Sequence, residues 1–152
     1  MKENSIMIKD YIKQFSQFPG CITFPPCTEE SITHVSTLLS ASGFSTIPAE
    51  YKEFLKITDG LSYNGIEFFG SRNHNRPEKG YTFPDLAAST FHYEDYNFFR
   101  KKIILGRISE SMIFYDKTSG RYAIADRLSL RSRREVKTFA EILQIFLDIC
   151  KN

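Results

Sequence analysis

Apolar positions recur at helical spacing over the first third of the chain and at strand spacing over the last third. Ile8, Tyr11, Ile12 and Phe15 share one face of a first helix, which Pro19-Gly20 ends. Phe24-Pro25-Pro26 predicts an extended connector, because a residue before proline is pushed out of the helical region. Thr28 is placed to cap a second helix, with Glu29 and Glu30 at the positive end of its dipole. Ile32, Val35, Leu38 and Leu39 form its apolar face, and Gly43 suits the left-handed position that closes it. Pro48 predicts the first position of a third helix, with Tyr51, Phe54 and Leu55 on one side and Asp59-Gly60 as its stop.

Beyond Gly60 the pattern shortens. Asn64-Gly65 between two apolar-rich runs predicts a hairpin, since both residues tolerate positive φ. Residues 70–82 lack periodicity and are rich in turn formers, which predicts an exposed loop. A weaker helical pattern follows Pro84 to about Phe99. From Ile103 the period becomes that of strands: 103–108, 111–115, 121–125 and a last one within 128–136. Thr138 and Glu141 make a capping box ahead of a strongly apolar helix carrying Ile142, Leu143, Ile145, Phe146 and Ile149. The order predicts an α+β single domain over 1–152: an antiparallel sheet, hairpin plus C-terminal meander, packed by N-terminal helices and a C-terminal helix.

Composition supports a globular chain. Leu, Ile, Val and Phe supply 42 of the 152 residues, enough for a core without disulfide or metal staples. No apolar run reaches the roughly 18 residues of a membrane span. Met1-Lys2-Glu3-Asn4-Ser5 has no apolar signal core, so a cytoplasmic location without membrane contact is expected. The net charge of +2 hides a split, −4 over residues 1–99 and +6 over residues 100–152. It forms a charged face only if folding keeps the halves apart. Cys21, Cys27 and Cys150 match no zinc spacing and read as reduced structural thiols.

The sequence holds no phosphate-binding glycine loop, no zinc-protease helix motif and no nucleophile elbow. His34 and His92 stand alone on helices, whereas His74 sits between Arg72 and Arg76, a spacing able to hold an anion or an acidic side chain. An enzyme using His74 and Glu78 is a third reading, but nothing pairs a nucleophile with a base at a checkable spacing. Arg127, Arg131, Arg133, Arg134 and Lys137 form a basic segment opposed only by Glu135. It contains none of the interleaved aromatics that single-strand binders use, so it reads first as a strand edge protected by charge and second as an anion site. Among the 8 Tyr and 14 Phe, Tyr63 beside the Asn64-Gly65 turn is the best-placed interface anchor.

Ile47-Pro48-Ala49-Glu50-Tyr51-Lys52-Glu53-Phe54-Leu55 with Thr58-Asp59-Gly60 resembles the signature of the SUKH superfamily: an apolar-Pro pair opening a short helix, an aromatic three residues on, and an Asp-Gly stop. Ile104-Leu105-Gly106-Arg107, Ile113-Phe114-Tyr115-Asp116, Asp126 and Phe139 with Ile142-Leu143 are similar to its later strands and terminal helix, most like the YrhA-like branch. Leu61 stands where many members carry a second glycine. The superfamily includes fungal regulators of cell-wall synthesis and bacterial immunity proteins that neutralise toxins.

The resemblance implies a non-enzymatic protein-binding module, an immunity-type protein that occludes a toxin, with no catalytic residue, cofactor or metal. Tyr63, Asn64 and Glu67 on the hairpin and Arg72, His74 and Arg76 on the following loop are the expected partner contacts. The alternative is a nucleic-acid or anionic-ligand binder using Arg127, Arg131, Arg133 and Arg134. A monomer or weak homodimer is expected. Many relatives are acidic, so a basic 127–137 patch here would favour an acidic partner instead.

Overall fold

The structure, a computed structural model, describes residues 2–44, 46–76, 81–93, 102–126, 129 and 132–151, without the side chains of 2–4, 76, 81, 82, 132 and 133. Its helices are α1 (Lys2–Ser16), α2 (Glu29–Ala41), α3 (Ala49–Ile57), α4 (Leu86–His92) and α5 (Phe139–Lys151). Its strands are β1 (Ile22–Thr23), β2 (Leu61–Tyr63), β3 (Ile66–Phe68), β4 (His74–Arg76), β5 (Tyr81–Phe83), β6 (Ile103–Ile108), β7 (Ser111–Asp116), β8 (Arg121–Asp126) and β9 (Ser132–Val136). Seven strands form one antiparallel sheet in the order β1-β2-β3-β6-β7-β8-β9, and β4 and β5 form a second, two-stranded sheet. The fold class is α+β, and no described helix is long and apolar enough to cross a membrane.

Local signals act where expected. Thr28 Oγ1 accepts from the Ser31 N–H at 3.0 Å, and Gly43 takes φ +87° after α2. The capping box closes in both directions, with Thr138 Oγ1 accepting from the Glu141 N–H and Glu141 Oε2 accepting from the N–H groups of Lys137 and Thr138. Asn64 (φ 47°) and Gly65 (φ 87°) turn β2 into β3 with both central residues left-handed, the hand that matches strand twist.

The core stands between the sheet and three helices. Phe68 of β3 packs edge-on against Phe139 and Phe146 of α5 and against Phe54 of α3, with centroids 5.6–5.9 Å apart. The Tyr51 hydroxyl, fully buried, donates to the carbonyls of Phe69 (2.6 Å) and Leu105 (3.1 Å), which binds α3 to the junction of β3 and β6. Leu105 is the extra residue of a bulge between Ile104 and Gly106, and its carbonyl also accepts from the Phe69 N–H at 2.8 Å. Gly106 is required there, because a Cβ would lie 2.2 Å from the Glu67 carbonyl oxygen. Successive strand residues face opposite ways, so Glu67, Arg107 and Met112 lie on the face away from α5, under α4.

Several expectations are corrected. Of the expected exposed loop 70–82, residues 77–80 lie outside the described set; among the rest, Arg72, Asn73 and Asn75 are exposed as expected, but Ser71 and His74 are buried and β4 pairs with β5. The fourth helix ends at His92, where the N–H of the capping Tyr93 turns back onto the carbonyls of Phe91 and Thr90; residues 94–99 of the expected span lie outside the described set. Leu38 is exposed, since Ile32, Val35 and Leu39 already fill the inward stripe of α2. Pro48 caps α3 from just outside it. Two residues of the segment before Phe24, Ile22 and Thr23, pair with Ser62 and Leu61 as the edge strand β1. The acidic and basic halves interleave, because β3 pairs with β6 and α1 packs on α5.

Candidate functional site

The stop of α3 is the most heavily bonded polar site among the described residues. Gly60 turns at φ +110°, and Thr58 receives the Phe24 N–H while donating to the Gly60 carbonyl at 2.5 Å. Asp59, 0 % exposed, is therefore aimed into the protein. Its Oδ1 accepts from both the N–H and the hydroxyl of Ser71, each at 2.8 Å, and its Oδ2 accepts from His74 Nε2 at 2.9 Å. Gly70 makes the approach possible, since a Cβ there would stand 2.3 Å from the Asp59 carbonyl oxygen. The His74 ring stacks on Phe24 at 4.1 Å. Burial acts to raise the Asp59 carboxyl, but the hydrogen bonds from His74 and Ser71 outweigh it and hold the group below the usual carboxylate range.

Serine, histidine and aspartate meet here, yet not as a relay. Both Ser71 and His74 are bonded to the carboxylate, so the histidine is not placed to take the serine proton. The arrangement clamps the chain after β3 onto the end of α3. His74 is thereby removed from the expected partner contacts: it is 6 % exposed and its Nε2–H is used internally.

The remaining contacts divide. Tyr63 and Asn64 lie together at the turn, where the half-buried Tyr63 ring stacks on Phe18 at 5.1 Å and 21° and Asn64 is exposed. Glu67 is a correction too, since it is buried on the α4 side and paired with Arg107 Nε. Arg72 is exposed beyond the other end of the hairpin, bordering an open groove of about 590 Å³ with Glu29, Glu30 and His34 of α2. The side chain of Arg76 lies outside the described residues. The structure thus brings Tyr63 and Asn64 together and separates them from Arg72.

Of the basic segment, Arg127, Arg131 and the side chain of Arg133 lie outside the described residues. Arg134 is exposed on the edge strand β9, in a groove of about 720 Å³ between α1, α5 and the sheet. Glu135, Glu141 and Asp148 line that groove as well, so its charge is mixed. The three thiols are free and half-buried, and burial pushes those of Cys21 and Cys27 up to about 11, which keeps them protonated and unreactive at neutral pH. Among the described residues no His, Cys, Asp and Glu side chains group as metal ligands would.

Asp59 was legible only as a turn residue, because its partners follow 12 and 15 residues later. The grouping of Ser89, His92 and Arg107 around a cleft under α4 had no signal in the sequence either, since Arg107 comes from another strand. No family model matches the chain, and no curated protein does.

Proposed function

We propose that the chain is a non-enzymatic protein-binding module of immunity type, which neutralises a toxin by direct binding through the turn end of the β2–β3 hairpin. The observation that carries this reading is a tip that is rigid before it meets a partner. Asn64 and Gly65 hold a tight turn, the Tyr63 ring is already stacked on Phe18, and β1 and β6 flank the hairpin on both sides. A large aromatic fixed in advance loses little side-chain entropy on binding, which is the property of an interface anchor. The motifs behind the resemblance agree with it, because Tyr51, Gly60 and Gly106 all act at the junction that supports this hairpin. The buried clamp at Asp59 fixes the base of the same element.

The test is co-expression with the product of a neighbouring toxin-like reading frame, followed by affinity measurement on the purified pair. Growth rescue and a stable complex are expected, with Tyr63→Ala weakening binding about tenfold or more and Arg72→Ala leaving it nearly unchanged. Absence of both rescue and complex would overturn the reading. Full binding by Tyr63→Ala would overturn the surface.

A further inference from the structure

A cleft of about 300 Å³ lies between α4 and the face of the sheet turned away from α5. Phe69, Ala88 and Met112 supply its apolar wall, and Ser89, His92 and Arg107 its polar side. This volume is at the small end of ligand pockets, and the mixture of an apolar wall with a few convergent polar groups is their usual composition.

Two of the polar groups keep donors that the fold does not use. Ser89 is 6 % exposed, and its hydroxyl has no hydrogen-bond partner. Buried hydroxyls left unpaired are destabilising and rare, and Ser89 lines the cleft. Arg107 gives its Nε–H to Glu67 and lies over the Phe69 ring at 5.7 Å. Its terminal N–H groups have no hydrogen-bond acceptor among the described residues, although an arginine fork pairs best with a planar carboxylate. Its side chain is 41 % exposed against 10 % for Glu67, so the guanidinium is the more open member of the pair. Glu67 offsets part of its charge, which suits a single negative charge better than a phosphate dianion.

We propose that this cleft binds a small monocarboxylate with an apolar ring or chain, its carboxylate on Arg107 and Ser89 and its body against Phe69 and Met112. His92 at the rim adds a further donor. The inference stands apart from the protein-binding reading, since none of these residues belongs to the hairpin turn.

The test is an amide NMR titration of the full chain with sodium benzoate and, separately, with the neutral isostere benzamide. Benzoate is expected to give saturable shifts confined to Phe69, α4, Arg107 and Met112, with a dissociation constant on the order of a millimolar. Benzamide binds about tenfold more weakly, and Ser89→Ala weakens benzoate by about the same factor. Ala88→Phe fills the cleft and abolishes binding; should that variant not fold, Ser89→Ala tests the same point by removing only the hydroxyl. Benzoate shifts that are absent, unsaturable or spread over the surface overturn the proposal. So does equal binding of benzamide, or unchanged binding by a folded variant.

Discussion

Removing the Asp59 carboxylate tests the central structural claim, that the buried acid joins α3 to the chain after β3. Asp59→Ala leaves the Ser71 N–H, the Ser71 hydroxyl and His74 Nε2–H facing a site that water does not reach. Removing the ionised acceptor of three buried donors, each costing about 1–3 kcal/mol when left unpaired, destabilises the fold by roughly 3–5 kcal/mol. A domain of this kind holds only about 5–15 kcal/mol in total, so urea midpoints fall by roughly a fifth or more. A melting temperature lower by about 6–20 °C accompanies this, at 2–4 °C per kcal/mol for a chain of this length. Asp59→Asn is milder, at roughly 1.5–3 kcal/mol, because its amide oxygen still accepts from Ser71 while the charge is lost.

The same pair of proteins gives a pH signature. The Asp59 carboxyl is held below its usual range in the folded state. A depressed folded value means that ionised Asp59 stabilises the fold above the unfolded carboxylate value, about 3.9. That stability is lost as pH falls through the lower, folded value. Equilibrium urea unfolding of the parent chain and Asp59→Asn from neutral pH down to acid measures it. The parent loses stability more steeply below about pH 4, and the two curves converge. Parallel curves, or a loss under about 1 kcal/mol for Asp59→Ala, would show that the clamp does not stabilise the fold.

Gly106→Ala places a Cβ 2.2 Å from the Glu67 carbonyl oxygen in the centre of the sheet, where no flexible side chain can yield. It is expected to lose about 3 kcal/mol or more by urea unfolding, and a neutral result would mean that β3 and β6 are not paired in this register. Tyr51→Phe removes the donor to the carbonyls of Phe69 and Leu105 while keeping the ring packing, a loss of about 1–2 kcal/mol in the same assay. Burial pushes the Tyr51 phenol well above its ordinary value, so the parent chain shows no spectral titration of this tyrosine while folded at mildly alkaline pH.

What could be read in advance was whatever is settled within a few residues. The Thr138–Glu141 capping box and the Asn64-Gly65 turn depend on neighbours in sequence and formed as their chemistry dictates, and so did the inward stripe of α2 except at the exposed Leu38. β1 was not legible, because two residues carry no period and Ile22 and Thr23 are extended through pairing with β2. His74–Arg76 reads as loop by composition and becomes β4 only through Tyr81–Phe83. Two of the candidate contacts, His74 and Glu67, are buried for a related reason. A period-2 alternation sends Glu67 to the α4 side, where its partner Arg107 comes from a strand 40 residues away.

The polar chemistry gathers on one excursion of the chain, and the topology explains why. β3 and β6 are neighbours in the sheet but far apart in sequence, so the chain must leave β3, cross the sheet face turned away from α5, and return. Such a path lacks the ladder bonds of a strand and must be pinned by other means. Near its start, Ser71 and His74 are bonded to Asp59. In its middle, Gly70 forms a bridge with Asp85 and its carbonyl accepts from the Leu86 N–H at 2.9 Å, while the Asn73 side chain receives the Asp85 N–H. At its return, Thr90 Oγ1 accepts from the Ile104 N–H beside the bulge. The pins at Asp59 and Thr90 use polar groups in buried places, and among the described residues of that path Ser89 carries a buried hydroxyl with no partner. It borders the cleft between α4 and the sheet, on the face where the chain is held by scattered polar pins and not by a continuous ladder.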